Sequence, residues 1–333
     1  MLQNNVMPPR YPWTCPKSLK TLIFTTMPGD STYIINQMGD TIYVDSAGLI
    51  PLDQLLPRAE TQVDSWSVTF PFVLIIAVLA IGLTAKWLRW RLLKRKARRE
   101  FSDKQVVYDS ILRQYSPYYR NLPQGLQQKF LKRTLTFMAA KRFRFVEMER
   151  EEHMPLLISA AAVQLTFGLD NYLLDHFHTI YVVKSDYNYG LYNVPFQGHV
   201  SHDGIYLSWS NFINAFANYT DGDNVGLHEM AHALSYVNFI ANDGSDNGFK
   251  QRFREFSKTG RAVFKEIQES GSSFLGNYAA TNYEEFWAVC VENFFERPLP
   301  FKLQMPELYD AMCKLLNQDM LSPGLFVQPL ETA

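Results

Sequence analysis

Residues 68–84 carry no charge over 17 positions and are dominated by Phe, Val, Leu, Ile and Ala. Hydrocarbon offers no partner for backbone N–H and C=O groups, so a segment that crosses it as a single stretch must bond them internally, as a helix. With Trp66, Ser67 and Ala85 the stretch reaches the short end of the roughly 17–25 residues that a spanning helix needs. The competing reading is a helix buried in a protein core, and the flanks decide between them. Lys86, Arg89, Arg91, Lys94, Arg95, Lys96, Arg98 and Arg99 follow, whereas Arg58 alone lies comparably near on the other side. That asymmetry puts residues 86 onward on the cytoplasmic face of a plasma (inner) membrane, and residues 1–66 outside it. Trp66, Trp87 and Trp90 then sit at the interfaces, and the basic run can touch anionic lipid heads. A nucleic-acid patch is the weaker reading, because a place beside the membrane already accounts for the charge. The whole chain is balanced, with 32 basic and 33 acidic residues, so no nucleic-acid partner is expected.

Around this single span the expected order is a small extracytoplasmic segment (1–66), the transmembrane helix (67–86), a basic juxtamembrane stalk (87–116), a globular domain (117–318) and a C-terminal tail (319–333). No basic start followed by an apolar run opens the chain, so no cleaved signal peptide is expected. Thr32-Tyr33-Ile34-Ile35 and Thr41-Ile42-Tyr43-Val44 flank Gln37-Met38-Gly39-Asp40, a hairpin pattern too small for a robust domain. The stalk reads as helix to about Tyr115, ending before Pro117. Cys15, Cys290 and Cys313 form neither a disulfide framework nor a C-x-x-C site, which fits a reducing compartment. Within the globular part, 126–143 reads as an amphipathic helix, 154–169 as a buried one and 253–269 as another. Thr179-Ile180-Tyr181-Val182-Val183 and Gly204-Ile205-Tyr206-Leu207-Ser208-Trp209 read as strands. Residues 185–201 form a polar, aromatic loop. Residues 241–248, rich in Asp and Asn, do not follow the ligand order of a calcium loop.

The chemistry is concentrated in His228-Glu229-Met230-Ala231-His232, an H-E-x-x-H motif. On a helix, residues i and i+4 stand one turn apart on one face, so both imidazoles can hold one metal ion. Glu229 is rotated by about 100°, beside the metal, where it can take a proton from an attacking water. Two stray histidines on a surface helix are the bland alternative. Leu227, Met230, Ala231, Leu234 and Val237 argue against it, because they form an apolar stripe that packs this helix into a core. Asp223 or Asn224 can cap its start.

A catalytic zinc needs three protein ligands and an open position. No His follows His232, so the third ligand is an upstream His, an Asp or a Glu. His176, His178, His199 and His202 are scattered and read as surface or structural residues. The best acidic stretch is 281–295. Thr281 and Glu284 have capping-box spacing, which occupies Glu284 and leaves Glu285 in an apolar first turn, where a carboxylate is costly unless paired. Glu292, two turns on, is either a partner holding a ligand imidazole or an ordinary helix carboxylate. Tyr278, seven residues before Glu285, either reaches the site or simply packs. In many zinc peptidases the strand before the metal helix is a sheet edge that accepts substrate backbone; the candidate here is 205–208.

Several separated pieces agree in order with one family. They are Ser159-Ala160-Ala161-Ala162, Phe167-Gly168-Leu169-Asp170, Gly204-Ile205-Tyr206-Leu207-Ser208-Trp209, the run from Asp221 through the H-E-x-x-H to Leu234, and Tyr278-Ala279-Ala280-Thr281. Glu285-Phe286-Trp287-Ala288-Val289 and Glu292-Asn293-Phe294-Phe295 complete the set. Residues of about 122–316 thus resemble the Mlc titration factor A family of zinc-dependent peptidases. The resemblance implies an α+β, helix-rich, zincin-like (gluzincin-like) domain with a small mixed or antiparallel sheet, similar to the catalytic domain of anthrax lethal factor. It implies Zn2+ held by His228, His232 and Glu285, Glu229 as general base, and Tyr278 near the oxyanion. A metallopeptidase acting on a peptide or protein substrate, tethered to the membrane by a single pass, is the expectation. The alternative is a membrane-tethered regulatory protein that sequesters a cytoplasmic partner, with weak or no peptidase activity.

Overall fold

The computed structural model describes residues 33–35, 41–43, 65–188, 195–241, 246–271, 273–322 and 326. Two compact units divide the chain, Met1–Ala80 and Ile81–Ala333. In the first, β1 (Tyr33–Ile35) and β2 (Thr41–Tyr43) pair antiparallel, Ile34 opposite Ile42, as the hairpin pattern predicts. The rest of 1–64, residues 242–245, part of the 185–201 loop and most of the 319–333 tail lie outside the described residues.

Helix α1 (Ser65–Phe101) is long and apolar enough to cross a membrane by length and composition. Its basic half, read from the sequence as a juxtamembrane stalk, packs from Arg89 onward against neighbouring helices and loops. Arg89 pairs with Asp175 at 2.9 Å, Trp90 meets Tyr172 edge-on at 5.4 Å, and Lys96 Nζ donates to the Ala139 carbonyl at 2.8 Å. Ala97 and Phe101 are buried. Trp90, Leu93, Ala97 and Phe101 recur every three or four residues, a helical stripe hidden in the sequence by the charges between them. After a 3-10 turn, α2 (Gln105–Tyr115) buries Tyr108 and Leu112. Ser116 then ends it and caps α3 (Pro117–Asn121), accepting from Tyr119 N at 3.2 Å.

Helix α4 (Gln124–Ala140) stops three residues short of the expected end. Arg-Phe-Arg-Phe-Val alternates with period two, and it forms strand β3 (Arg142–Val146). The apolar helix α5 (His153–Thr166) follows, then β4 (Thr179–Val183), β5 (Gly198–Ser201) and β6 (Gly204–Ser208). The sheet order is β3-β4-β6-β5: β3, β4 and β6 run parallel, and β5 closes antiparallel on β6. The architecture is therefore α+β, helix-rich, with a small mixed sheet. Residues 205–208, expected at the edge, are interior. The edge beside β6 is β5, joined to it by a two-residue turn at His202-Asp203.

Helix α6 (Trp209–Ala217) leads to α7 (Val225–Ser235), which continues into a π-helical turn over Tyr236–Ala241. Helix α8 (Asn247–Ser270), α9 (Tyr283–Glu296), α10 (Pro298–Gln304) and α11 (Pro306–Leu316) complete the body. Trp287 of α9 fixes the registry of three helices. Its indole N–H donates to Ala231 O of α7 at 3.1 Å, and its ring meets Phe249, Phe253 and Phe256 of α8 at 6.3, 5.4 and 5.5 Å. Edge-on ring pairs of this kind add about 0.5–1.5 kcal/mol each beyond area burial.

Candidate metal centre

Asn224 starts α7, its side-chain oxygen accepting from Leu227 N at 2.9 Å. Leu227, Met230, Ala231, Ala233 and Leu234 are buried, so packing fixes which way the helix turns. His228, Glu229 and His232 are left at the border of a cleft also lined by Phe196, Val200, Tyr236, Ile240, Tyr278 and Glu285. The two imidazoles lie one turn apart, centroids 4.7 Å apart.

The third group arrives from α9. Its cap is Asn282, whose oxygen accepts from both Glu284 N and Glu285 N at 2.9 Å. This corrects the expected Thr281–Glu284 capping box: Asn offers the same acceptor one residue later. Glu285 is then the third helical residue, facing α7. His228 Nε2 lies 3.0 Å from Glu285 Oε2 and 3.0 Å from His232 Nε2, and His232 Nε2 lies 3.6 Å from Glu285 Oε2. Among the described residues these three form the one cluster of metal-binding type. Tetrahedral zinc with bonds of about 2.1 Å puts its ligands about 3.4 Å apart. Two imidazoles and a carboxylate at 3.0, 3.0 and 3.6 Å therefore fit one small divalent ion.

Glu292 resolves as a partner of His228. Its Oε1 lies 3.1 Å from His228 Nδ1 and accepts from Asn224 N at 3.3 Å. One turn further, Glu296 accepts from Asn224 Nδ2 at 2.8 Å and Gly222 N at 3.1 Å. The same face of α9 thus clamps both the His228 imidazole and the loop that starts α7. Burial pushes the Glu292 carboxyl up, and pushes that of Glu296 up to about 8. Glu285 behaves oppositely: burial raises it, but hydrogen bonds to His228 and His232 outweigh burial and hold it below the usual carboxylate range.

Glu229 is 5% exposed, and burial pushes it up to about 7. Its Oε2 is buried with no hydrogen-bond partner among the described residues, an arrangement that a structural carboxylate rarely tolerates. Tyr278, in a 3-10 turn over Asn277–Ala280, is 58% exposed, its ring 6.0 Å from that of His228. Burial first, then the charge and hydrogen bond of Glu285, push its hydroxyl up to about 12.

His176, His178 and His202 fall outside this cluster. His199 also lies outside the cluster, yet it lines the cleft from β5. Its ring stacks on Tyr206 at 4.3 Å, Tyr206 stacks on Tyr181 at 4.3 Å, and His199 Nδ1 lies 2.8 Å from Tyr187 Oη. Burial pushes His199 down to about 4, so it is a neutral ring in a three-strand stack. The sequence signal for this edge was the alternation from Gly198 to Ser201 followed by Asp203-Gly204.

Residues 86–316 match the model of the glucose-regulated metallo-peptidase M90 family. The chain is 23% identical over 272 residues to the slr2042 protein of Synechocystis sp., spanning 72% of this chain and 94% of that protein. It is 25% identical over 226 residues to Mlc titration factor A of Cronobacter sakazakii, covering 62% and 84% respectively. The corresponding Escherichia coli factor is 28% identical over 123 residues, covering 35% and 46%.

Proposed function

Because the chain belongs to the glucose-regulated metallo-peptidase M90 family, we propose that it is a membrane-anchored zinc metallopeptidase that hydrolyses peptide bonds of a peptide or protein substrate. The convergence of His228, His232 and Glu285 on one point beside Glu229 carries this reading. His228, His232 and Glu285 would hold the ion, and two imidazoles with a carboxylate suit zinc. Bound there, zinc supplies Lewis acidity, bringing the pKa of water to near 7. The domain is zincin-like, with the peptidase residues at 117–318 on the cytoplasmic side.

Glu229 takes the proton of the attacking water and later hands it to the leaving amine. Burial pushes the Glu229 carboxyl up, toward the operating pH, where such transfers are most effective, and the cation's charge opposes that rise. Tyr278, protonated at neutral pH, donates its hydroxyl to the developing oxyanion. Substrate backbone adds to the sheet at β5. Ser208 N donates to Gln197 O, so Gln197 faces β6; along an antiparallel strand the next outward-facing N–H and C=O belong to Gly198 and Val200. These two positions take the role the sequence assigned to 205–208.

The test uses the full chain in detergent micelles. Purified protein is expected to carry one zinc and to cleave members of a peptide library. A strong chelator should abolish cleavage and added zinc restore it; a metal-replete protein that cuts nothing sinks the reading. The anchor is tested separately. Protease added outside intact cells is expected to clip residues 1–64 and spare the rest, and loss of the 117–318 domain would reverse the orientation. The relatives' name describes a factor that titrates Mlc, which supports a regulatory protein partner as a second reading.

A further inference from the structure

Gly198 lies on the edge strand where β5 passes over the Glu229 side chain. A Cβ on it would stand 2.5 Å from Glu229 Cγ, 2.6 Å from Oε1 and 2.8 Å from Cδ, well inside the roughly 3.5–4.0 Å of an ordinary carbon contact. Its φ lies outside the left-handed region, so backbone conformation does not call for glycine here. The carboxylate does. Neither side can retreat easily. The strand is paired to β6 at Gly198–Leu207 and His199–Tyr206, and the His199–Tyr206–Tyr181 stack pins it from the opposite face. Glu229 rides on α7, whose Met230, Ala231 and Ala233 are fully buried.

We propose that Gly198 is a positioning residue for Glu229: its missing side chain lets the edge strand lie directly on the carboxylate and keep it in the cleft. This rests on the reading of Glu229 as the base. The same backbone turns Gly198 N–H and C=O outward, so one residue seats the base and borders the incoming chain. Any side chain here pushes the Cγ–carboxylate group out of its place.

The experiment compares the full chain with Gly198→Ala, Glu229→Ala and the double variant, reading kcat, KM, bound zinc and Tm. Gly198→Ala is expected to lower kcat about 10²-fold, the effect of misplacing a reacting group by about an ångström, with KM within about threefold and zinc unchanged. The Tm loss caused by Gly198→Ala should vanish when residue 229 is Ala, because the clashing atoms are gone. If Gly198→Ala alone does not fold, the double variant is expected to fold. A kcat within about threefold of wild type overturns the inference. So does an equal Tm penalty in both backgrounds, or a double variant that also fails to fold. Full activity of Glu229→Ala overturns instead the reading on which it rests.

Discussion

Glu229→Gln is expected to lower kcat for peptide cleavage about 10²–10⁴-fold, the usual contribution of a positioned general base, while bound zinc stays at the wild-type level. Gln keeps the size of the side chain and its contact with Gly198, but cannot accept a proton. The ligand atoms of His228, His232 and Glu285 are untouched. The pH profile gives a second signature. A carboxylate raised by burial to about 7 is protonated below that pH, so wild-type activity falls as pH drops through it. The cation's charge favours the ionised form and moves this acid limb downward, and Gln has no limb from this position. An unchanged rate would refute the assigned base. Binding of a regulatory protein, in contrast, should not notice the substitution. A variant dead toward peptides yet fully able to capture a partner would separate the two activities.

Much of this centre was legible because its chemistry is local. His228 and His232 are one helical turn apart, and the buried stripe of Leu227, Met230, Ala231 and Leu234 says that the turn faces a cleft. Glu285 is 57 residues from His228, yet it stood out as a carboxylate in an apolar first turn. What stayed hidden depends on order in space. Strand β3 begins two residues after the end of α4 and β5 is only four residues long, and sheet order is set by crossovers that no local pattern encodes. Hence Ile205–Ser208 passed for an edge, and Gly198 and His199 for loop. Asn282 displaced Thr281 as a cap because two good acceptors sit side by side and tertiary packing chose between them. Glu292 could be settled only by distance, since a buried carboxylate and a solvated one look alike in sequence. The packed face of the stalk was hidden for a related reason: eight basic side chains outweigh four apolar ones in composition, although Trp90, Leu93, Ala97 and Phe101 carry the periodicity.

Glu285→Ala carries the other large effect, on metal rather than rate. Zinc bound by four protein ligands is stabilised by about 10–16 kcal/mol, or roughly 2.5–4 kcal/mol per ligand. Removing this carboxylate should therefore lower zinc affinity roughly 10²–10³-fold, read by competition with a chelator of known strength. The fold should survive the loss. Asn282 caps α9 through the backbone N–H groups of residues 284 and 285, which Ala retains, and Trp287 still ties α9 to α7. The Glu285 side chain keeps 18% of its surface exposed, so its removal leaves no sealed cavity. Far-UV circular dichroism is accordingly expected to match wild type while zinc is lost, which separates a missing ligand from a collapsed helix. Activity should return in part at saturating zinc, because His228, His232 and Glu229 remain in place. Wild-type zinc affinity in this variant would move the third ligand to another acid, and with it the geometry that places Glu229 beside the ion.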